Sequence, residues 1–249
     1  MSHLLVHPSK PNDEGQVLAI TPQSAGWSYV GFEVFYLKDG QTLSRETADR
    51  EMCLVILNGR AAIRAGALEC GVLGERMSVF EGLPWSVYVP QQSDFTIRAD
   101  GPCAIAICSS PAKTSLPPRI ISPTEITQET RGTGTNTRYV RNILPDTSPY
   151  AESLLVVEVI TPASHSSSYP PHKHDQDTPP EETLMEETYY HRLHPPQGFA
   201  FQRVYTDDRS LDEACAVENH DVVMVPRGYH PVVAAHGYDL YYLNVMAGP

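Results

Sequence analysis

Apolar residues in this chain come in short runs broken by Gly, Pro, Asn and Asp. The runs at 30–37, 52–57, 77–80, 86–89, 104–108, 154–160, 222–225 and 240–245 have strand length and are rich in β-branched and aromatic residues. Few stretches sustain a helical period. The 22 prolines in 249 residues point the same way, because proline fixes φ and lacks the N–H that a helix interior needs. Short strands at regular intervals with turn signals between them predict an all-β protein built as a sandwich or barrel.

The pattern divides the chain into two halves. Residues 1–110 hold one set of strands and 151–249 a second. Between them, residues 111–150 read as a linker, opening within the Pro/Ser-rich SSPAKTSLPPRIISPTE that starts at Ser109 and continuing into the basic, glycine-punctuated RGTGTNTRYVRNI. The halves look like distant copies. In one, Glu51 opens a strand that is followed later by a strand running into Pro90; in the other, Glu187 opens a strand and Pro226 ends the later one.

Composition narrows the function classes. Hydrophobic residues make up 41% and charged residues 19%, as in ordinary globular proteins. The net charge of −12 makes nucleic acid and anionic membrane poor partners. An anionic substrate needs local arginines or a metal to reverse that field. The five cysteines, Cys53, Cys70, Cys103, Cys108 and Cys215, include no CxxC pair and read as free thiols of a reducing compartment. With no signal-like N-terminus and no membrane-length apolar run, the expected location is the cytoplasm.

The segment SSYPPHKHDQDTPPEETLMEETYYHRL carries the chemistry. Pro170 and Pro171 disfavour helix, and on an extended chain His172 and His174 point to one face. Two imidazoles on one face can share a metal ion. Glu187 begins the alternating run Glu187, Tyr189, His191 and can supply a third ligand; strand phase prefers it to Glu181, Glu182 and Glu186. In VVMVPRGYH, a strand and a Pro-Arg-Gly turn bring His230 back as the fourth. Three His and one Glu suit Zn, Mn, Fe, Co or Ni without selecting among them.

HxH, a following Glu and a later PxGxH segment resemble the cupin pattern, with His220-Asp221 where that pattern has Gly-Asp, and with a longer gap from His174 to Glu187. YPPHKHD, EETYYHRLHPPQGFAFQRVYTDDRSLDE, VPRGYHPV, HGYDLYYLNVMAGP and RGTGTNTRYVRNI are similar to the 5-deoxy-glucuronate isomerase family of myo-inositol catabolism. A related family acts on 5-keto-4-deoxyuronate. The resemblance implies a bicupin, two jelly-roll-like barrels of which only the C-terminal one holds a metal. The N-terminal half has SRETADRE in place of HxH and QQSDF without histidine near Pro90, so its barrel is expected to be structural or to help form a homo-oligomer.

The implied reaction is an aldose–ketose isomerisation of a small uronate-type sugar acid, converting 5-deoxy-glucuronate to 5-dehydro-2-deoxy-gluconate through an enediolate, with hydride transfer as the other route. It needs a divalent metal and a general base. Glu158 within LLVVEVIT is one candidate base, against a reading as a buried Glu paired with arginine; His191 and Tyr242 are others. Arg203 and Arg227 lie near the metal strands and are candidates for the substrate carboxylate, ahead of Arg138 and Arg141. Gln202 alternates with Arg203, so one of the two faces the barrel interior. A metal-dependent dioxygenase and a non-catalytic sugar-binding cupin are the competing classes; ligands kept in one half and lost in the other favour an enzyme.

Overall fold

The computed structural model describes residues 2–249. It is built almost wholly of antiparallel strands, with one four-residue helix at Pro22–Ala25 and one 3-10 turn at Gly134–Asn136 among the described residues. Among the described residues, no helix is long and apolar enough to cross a membrane.

The chain forms two compact units. The first comprises Ser9–Thr127 with Ile143–Val156. It pairs a six-stranded sheet, with Arg50–Asn58 and Cys103–Pro111 at its centre, with a four-stranded sheet in the order Thr42–Glu46, Asp94–Ala99, Ala61–Ala65, Leu68–Leu73. Phe35, Leu54, Ile56 and Ile105 from one sheet meet Leu43, Ile63, Phe95 and Ile97 from the other in a single core. The second unit comprises residues 2–8, 128–142 and 157–249. Its larger sheet centres on Glu186–His194 and Asp239–Ala247, and its smaller one on Val232–Ala234 and Phe199–Tyr205. Tyr189, Leu193, Val223 and Tyr242 pack there against Ala200, Val204, Val217 and Val232. Each unit is thus a two-sheet β-barrel, as the strand pattern predicted.

The boundaries differ from the sequence reading. The stretch 111–150 is not a bare linker: Arg119–Ile121 pairs with Ser86–Val89, and Thr127–Arg131 and Arg138–Leu144 close one edge of the second unit's sheet. Residues near the N-terminus also belong to the second unit, with Leu5 opposite Val223 and Val6 opposite Val222. Proline and serine are compatible with edge strands, and pairing satisfies backbone groups that a linker would leave to water.

The internal likeness is present, shifted by one residue. Met52 lies opposite Val89 in the first unit, as Glu187 lies opposite Val225 in the second. Glu51 therefore corresponds to Glu186, and the barrel-facing position of Glu187 is taken by an apolar Met52 that packs on the core. A one-residue step exchanges the two faces of a strand. Glu51 is fully buried and does other work: it accepts hydrogen bonds from the backbone N–H groups of Glu152, Ser153 and Leu154, and from the hydroxyls of Tyr88 and Ser110, at 2.8–3.1 Å. All five cysteines are free.

Candidate metal centre

His172 and His174 sit on an irregular extended loop rather than a strand. The loop is held at both ends. Met185 N–H donates to the His174 carbonyl at 3.1 Å. Asp175 accepts from the Gly228 N–H at 2.5 Å, which ties the HxH loop to the turn preceding His230. Gly228 is required there: its φ is +90°, and a Cβ would lie 2.6 Å from the Tyr205 carbonyl oxygen. Glu182 caps the loop by accepting from the N–H groups of Asp175 and Gln176 and is spent on that task. Glu181 is exposed, and Glu186 lies on the sheet face opposite Glu187.

The ring centroids of His172, His174 and His230 are 4.7–5.6 Å apart, and each offers a nitrogen within 4.8 Å of the others. Glu187 joins through His230: Oε2 and Nε2 are 3.2 Å apart, both buried and neither hydrogen-bonded. Two such buried atoms facing each other are unfavourable unless a proton or a metal cation comes between. His230 Nδ1 donates to the Gly228 carbonyl at 2.9 Å, which turns the Nε2 lone pair toward Glu187. Asn244 Nδ2 donates to Glu187 Oε1 at 2.7 Å and fixes the carboxylate. Burial pushes Glu187 up to about 8, with the Tyr189 hydroxyl pulling the other way. Burial also holds His174 down to about 4 and His230 to about 3, each lowered further by neighbouring imidazoles. Neutral imidazoles and one carboxylate form a donor set that fits a borderline divalent ion.

Beside the cluster lies a cavity of about 120 Å³. His172, Glu187, Tyr189, Tyr242, Asn142 and Asn244 line it, together with Ser168, Arg131 and Arg138. The Tyr242 hydroxyl is hydrogen-bonded to Ser167, and that of Tyr189 to Ser168 at 2.9 Å. Burial raises both phenols, so they stay protonated donors at neutral pH.

Of the sequence-derived site residues, the four candidate ligands and Tyr242 come together. His191 lies deeper on the same strand face. Its Nε2 donates to Gln202 at 2.9 Å, its Nδ1 has no partner, and burial lowers it to about 4. Three expectations are corrected. Glu158 is no part of the cavity: its neighbours Val157 and Val159 line the wall, alternation turns Glu158 to the other face, and Arg141 lies 4.0 Å away. Arg203 is half exposed and held bidentately by Asp212 at 2.7–2.8 Å, while Gln202 takes the interior position. Arg227 is an exposed turn residue near Ser210. Arg131, Asn142, Ser168 and Asn244 were missed. Asn244 had a signal, since it alternates with Tyr242; Arg131 and Asn142 lay in the segment taken for a linker.

The first barrel has a cavity of about 380 Å³, lined by Met52, Glu33, Arg50 and Ser109 but by no histidine. Fold and site together define a two-barrel cupin protein whose second barrel carries a cluster of three histidines with Glu187 against His230. The chain belongs to the KduI/IolB family, whose model matches residues 4–249. It is 54% identical over 250 residues to 5-deoxy-glucuronate isomerase of Geobacillus kaustophilus, covering all of this chain and 90% of that protein. It is 47% identical over 253 residues to the enzyme of the same name from Bacillus subtilis, covering all of this chain and 93% of that one. The crystal structure of an IolB-like protein from Salmonella typhimurium superposes with a TM-score of 0.96 at 51% identity, covering all of this chain and 94% of that one. Bacillus subtilis oxalate decarboxylase, a protein with Mn(II) centres, shares the fold alone: TM-score 0.65 at 14% identity, over 98% of this chain and 77% of that one.

Proposed function

We propose that this protein isomerises 5-deoxy-glucuronate to 5-dehydro-2-deoxy-gluconate, with one divalent transition metal held by His172, His174, Glu187 and His230. The observation that carries the substrate is identity above 50% across the whole chain with a curated isomerase of that name. The orphaned, facing Glu187 Oε2 and His230 Nε2 support the metal. The first barrel, with Met52 in the carboxylate position, holds none.

Isomerisation moves a hydrogen from C2 to C1. The C2–H bond breaks as a C1–C2 double bond forms, the aldehyde oxygen gains a proton, the C2 hydroxyl loses one, and C1 is protonated to give the ketose. When bound, the metal supplies positive charge that stabilises the negative charge developing on the two oxygens. The chain's own groups bind and orient the reacting oxygens, while the proton leaving C2 must pass to a base before one is delivered to C1. Tyr242 and Tyr189, each anchored by a serine, donate from Oη to oxygens in the cavity. Asn244 holds Glu187 in one orientation. Neutral His191, fixed by Gln202, backs both tyrosine rings at 6.0 Å between centroids. Val157 and Val159 keep that wall dry.

Five free thiols, four of them buried, support a reducing, cytoplasmic setting. Exposed Phe199, Phe201 and Val233 on the smaller sheet of the second unit support self-association into a homo-oligomer, which a solution mass measurement tests. The function is tested by metal analysis and proton NMR of 5-deoxy-glucuronate with the protein in D2O. About one metal per chain and replacement of the aldehyde signal by a ketose are expected, with deuterium entering at C1 if the proton passes through solvent. Turnover of 5-keto-4-deoxyuronate instead, or oxygen consumption, would replace the reading.

A further inference from the structure

The isomerase reading demands a cationic partner for the substrate carboxylate in a chain of net charge −12. Arg203 and Arg227 are engaged on the surface. We infer that Arg131 and Arg138 form a carboxylate clamp that makes the cavity select anionic aldoses over neutral ones, and that Glu129 positions it. The inference rests on the isomerase reading and deepens it.

Among the side chains lining the cavity, the two guanidinium groups and Glu187 are the charged ones apart from His172. With Glu187 turned to the histidine cluster, any anion entering the cavity meets the arginines.

The pair is set by the hairpin that joins Thr127–Arg131 to Arg138–Leu144. Arg138 Nη1 donates to the backbone carbonyl and the side-chain oxygen of Asn136, both at 3.2 Å. Gly132, with φ +79°, allows the tight closure: a Cβ there would lie 2.0 Å from the Asn136 carbonyl oxygen and 2.9 Å from Arg138 Nη1. On the other limb, one Glu129 oxygen accepts from Arg131 Nε at 3.0 Å and the other from Asn142 Nδ2 at 2.6 Å. A single carboxylate thus orients two cavity-lining residues. Engaging Nε leaves the two terminal nitrogens of Arg131 for a ligand. A guanidinium fork matches a carboxylate in bidentate geometry, whereas a neutral hydroxymethyl group offers it one weak acceptor. Holding side chains beforehand lowers the entropy lost on binding.

The test compares 5-deoxy-glucuronate with 5-deoxyglucose, its neutral counterpart, on the metal-loaded full chain. Arg131→Gln is expected to raise KM for the uronate by about 10-fold with kcat changed by less than about threefold, and to leave KM for the neutral sugar unchanged. Arg138→Gln is expected to do the same more strongly, Glu129→Gln more weakly, and Arg131→Lys to recover part of the loss through its charge. Metal content and thermal melting of each variant report folding, and the half-exposed Arg131 gives a test even if loss of Arg138 unfolds the hairpin. Equal effects on both sugars, or none on either, would overturn the clamp while wild-type turnover of the uronate preserves the isomerase reading. Absence of wild-type turnover would overturn that reading and the clamp with it.

Discussion

The Gly228 backbone N–H donates a 2.5 Å hydrogen bond to the Asp175 carboxylate, joining the loop of His172 and His174 to the turn that delivers His230. Two segments that carry the candidate ligands, more than fifty residues apart in sequence, are held in register by this contact. Asp175→Ala is therefore expected to weaken metal binding by about 10- to 100-fold, the range for lost outer-shell partners, in a protein that still folds. Competition with a chelator measures it, and an unchanged affinity would remove Asp175 from the site.

Proton release on metal binding follows from the charge states in the cluster. Glu187, raised to about 8, carries its proton at pH 7, while His174 and His230, lowered to about 4 and about 3, carry none. Metal uptake at pH 7 should release about one proton, read by calorimetry in buffers of different ionisation enthalpy. In the metal-free protein, the raised Glu187 contributes stability that is present below about pH 4.5 and lost as pH rises through about 8. The lowered histidines act oppositely: they favour the fold above their unfolded value of 6.5, and that contribution is lost as pH falls through about 4 to about 3.

Tyr242→Phe and Glu158→Gln separate the cavity from the face behind it. Loss of the Tyr242 hydroxyl should lower kcat by about 100-fold at unchanged metal content, as removal of a positioned proton donor does. Glu158→Gln should leave kcat within about threefold, because its strand turns it away from the cavity toward Arg141. Steady-state kinetics of the two variants decides this; the reverse order would restore Glu158 as the base.

Glu51→Ala should destabilise the first unit by about 3–5 kcal/mol, since three backbone N–H groups, that of Leu154 buried, and two buried hydroxyls lose one shared acceptor. Urea unfolding measures it, and a loss below about 1 kcal/mol would mean that water replaces the carboxylate.

Local pattern determined a good deal here. Short apolar runs specified strands because alternation over a few residues is enough to define a half-buried β-segment. HxH, the alternating Glu187 and the Pro-Arg-Gly turn pointed to the candidate metal cluster because each is a local geometry. Tertiary structure decided the rest. The same alternation put Gln202 rather than Arg203 inside, and Val157 and Val159 rather than Glu158 on the cavity wall, but a periodicity of two does not say which phase faces the core. Pairing of 127–131 with 138–144 at a sheet edge turned an apparent linker into the cavity's cationic rim. The register opposite Val89 assigned Met52, not Glu51, to the carboxylate position of the first barrel. Faces, registers and edge pairings are set by contacts between segments far apart in sequence, so they exist only once the chain has closed on itself.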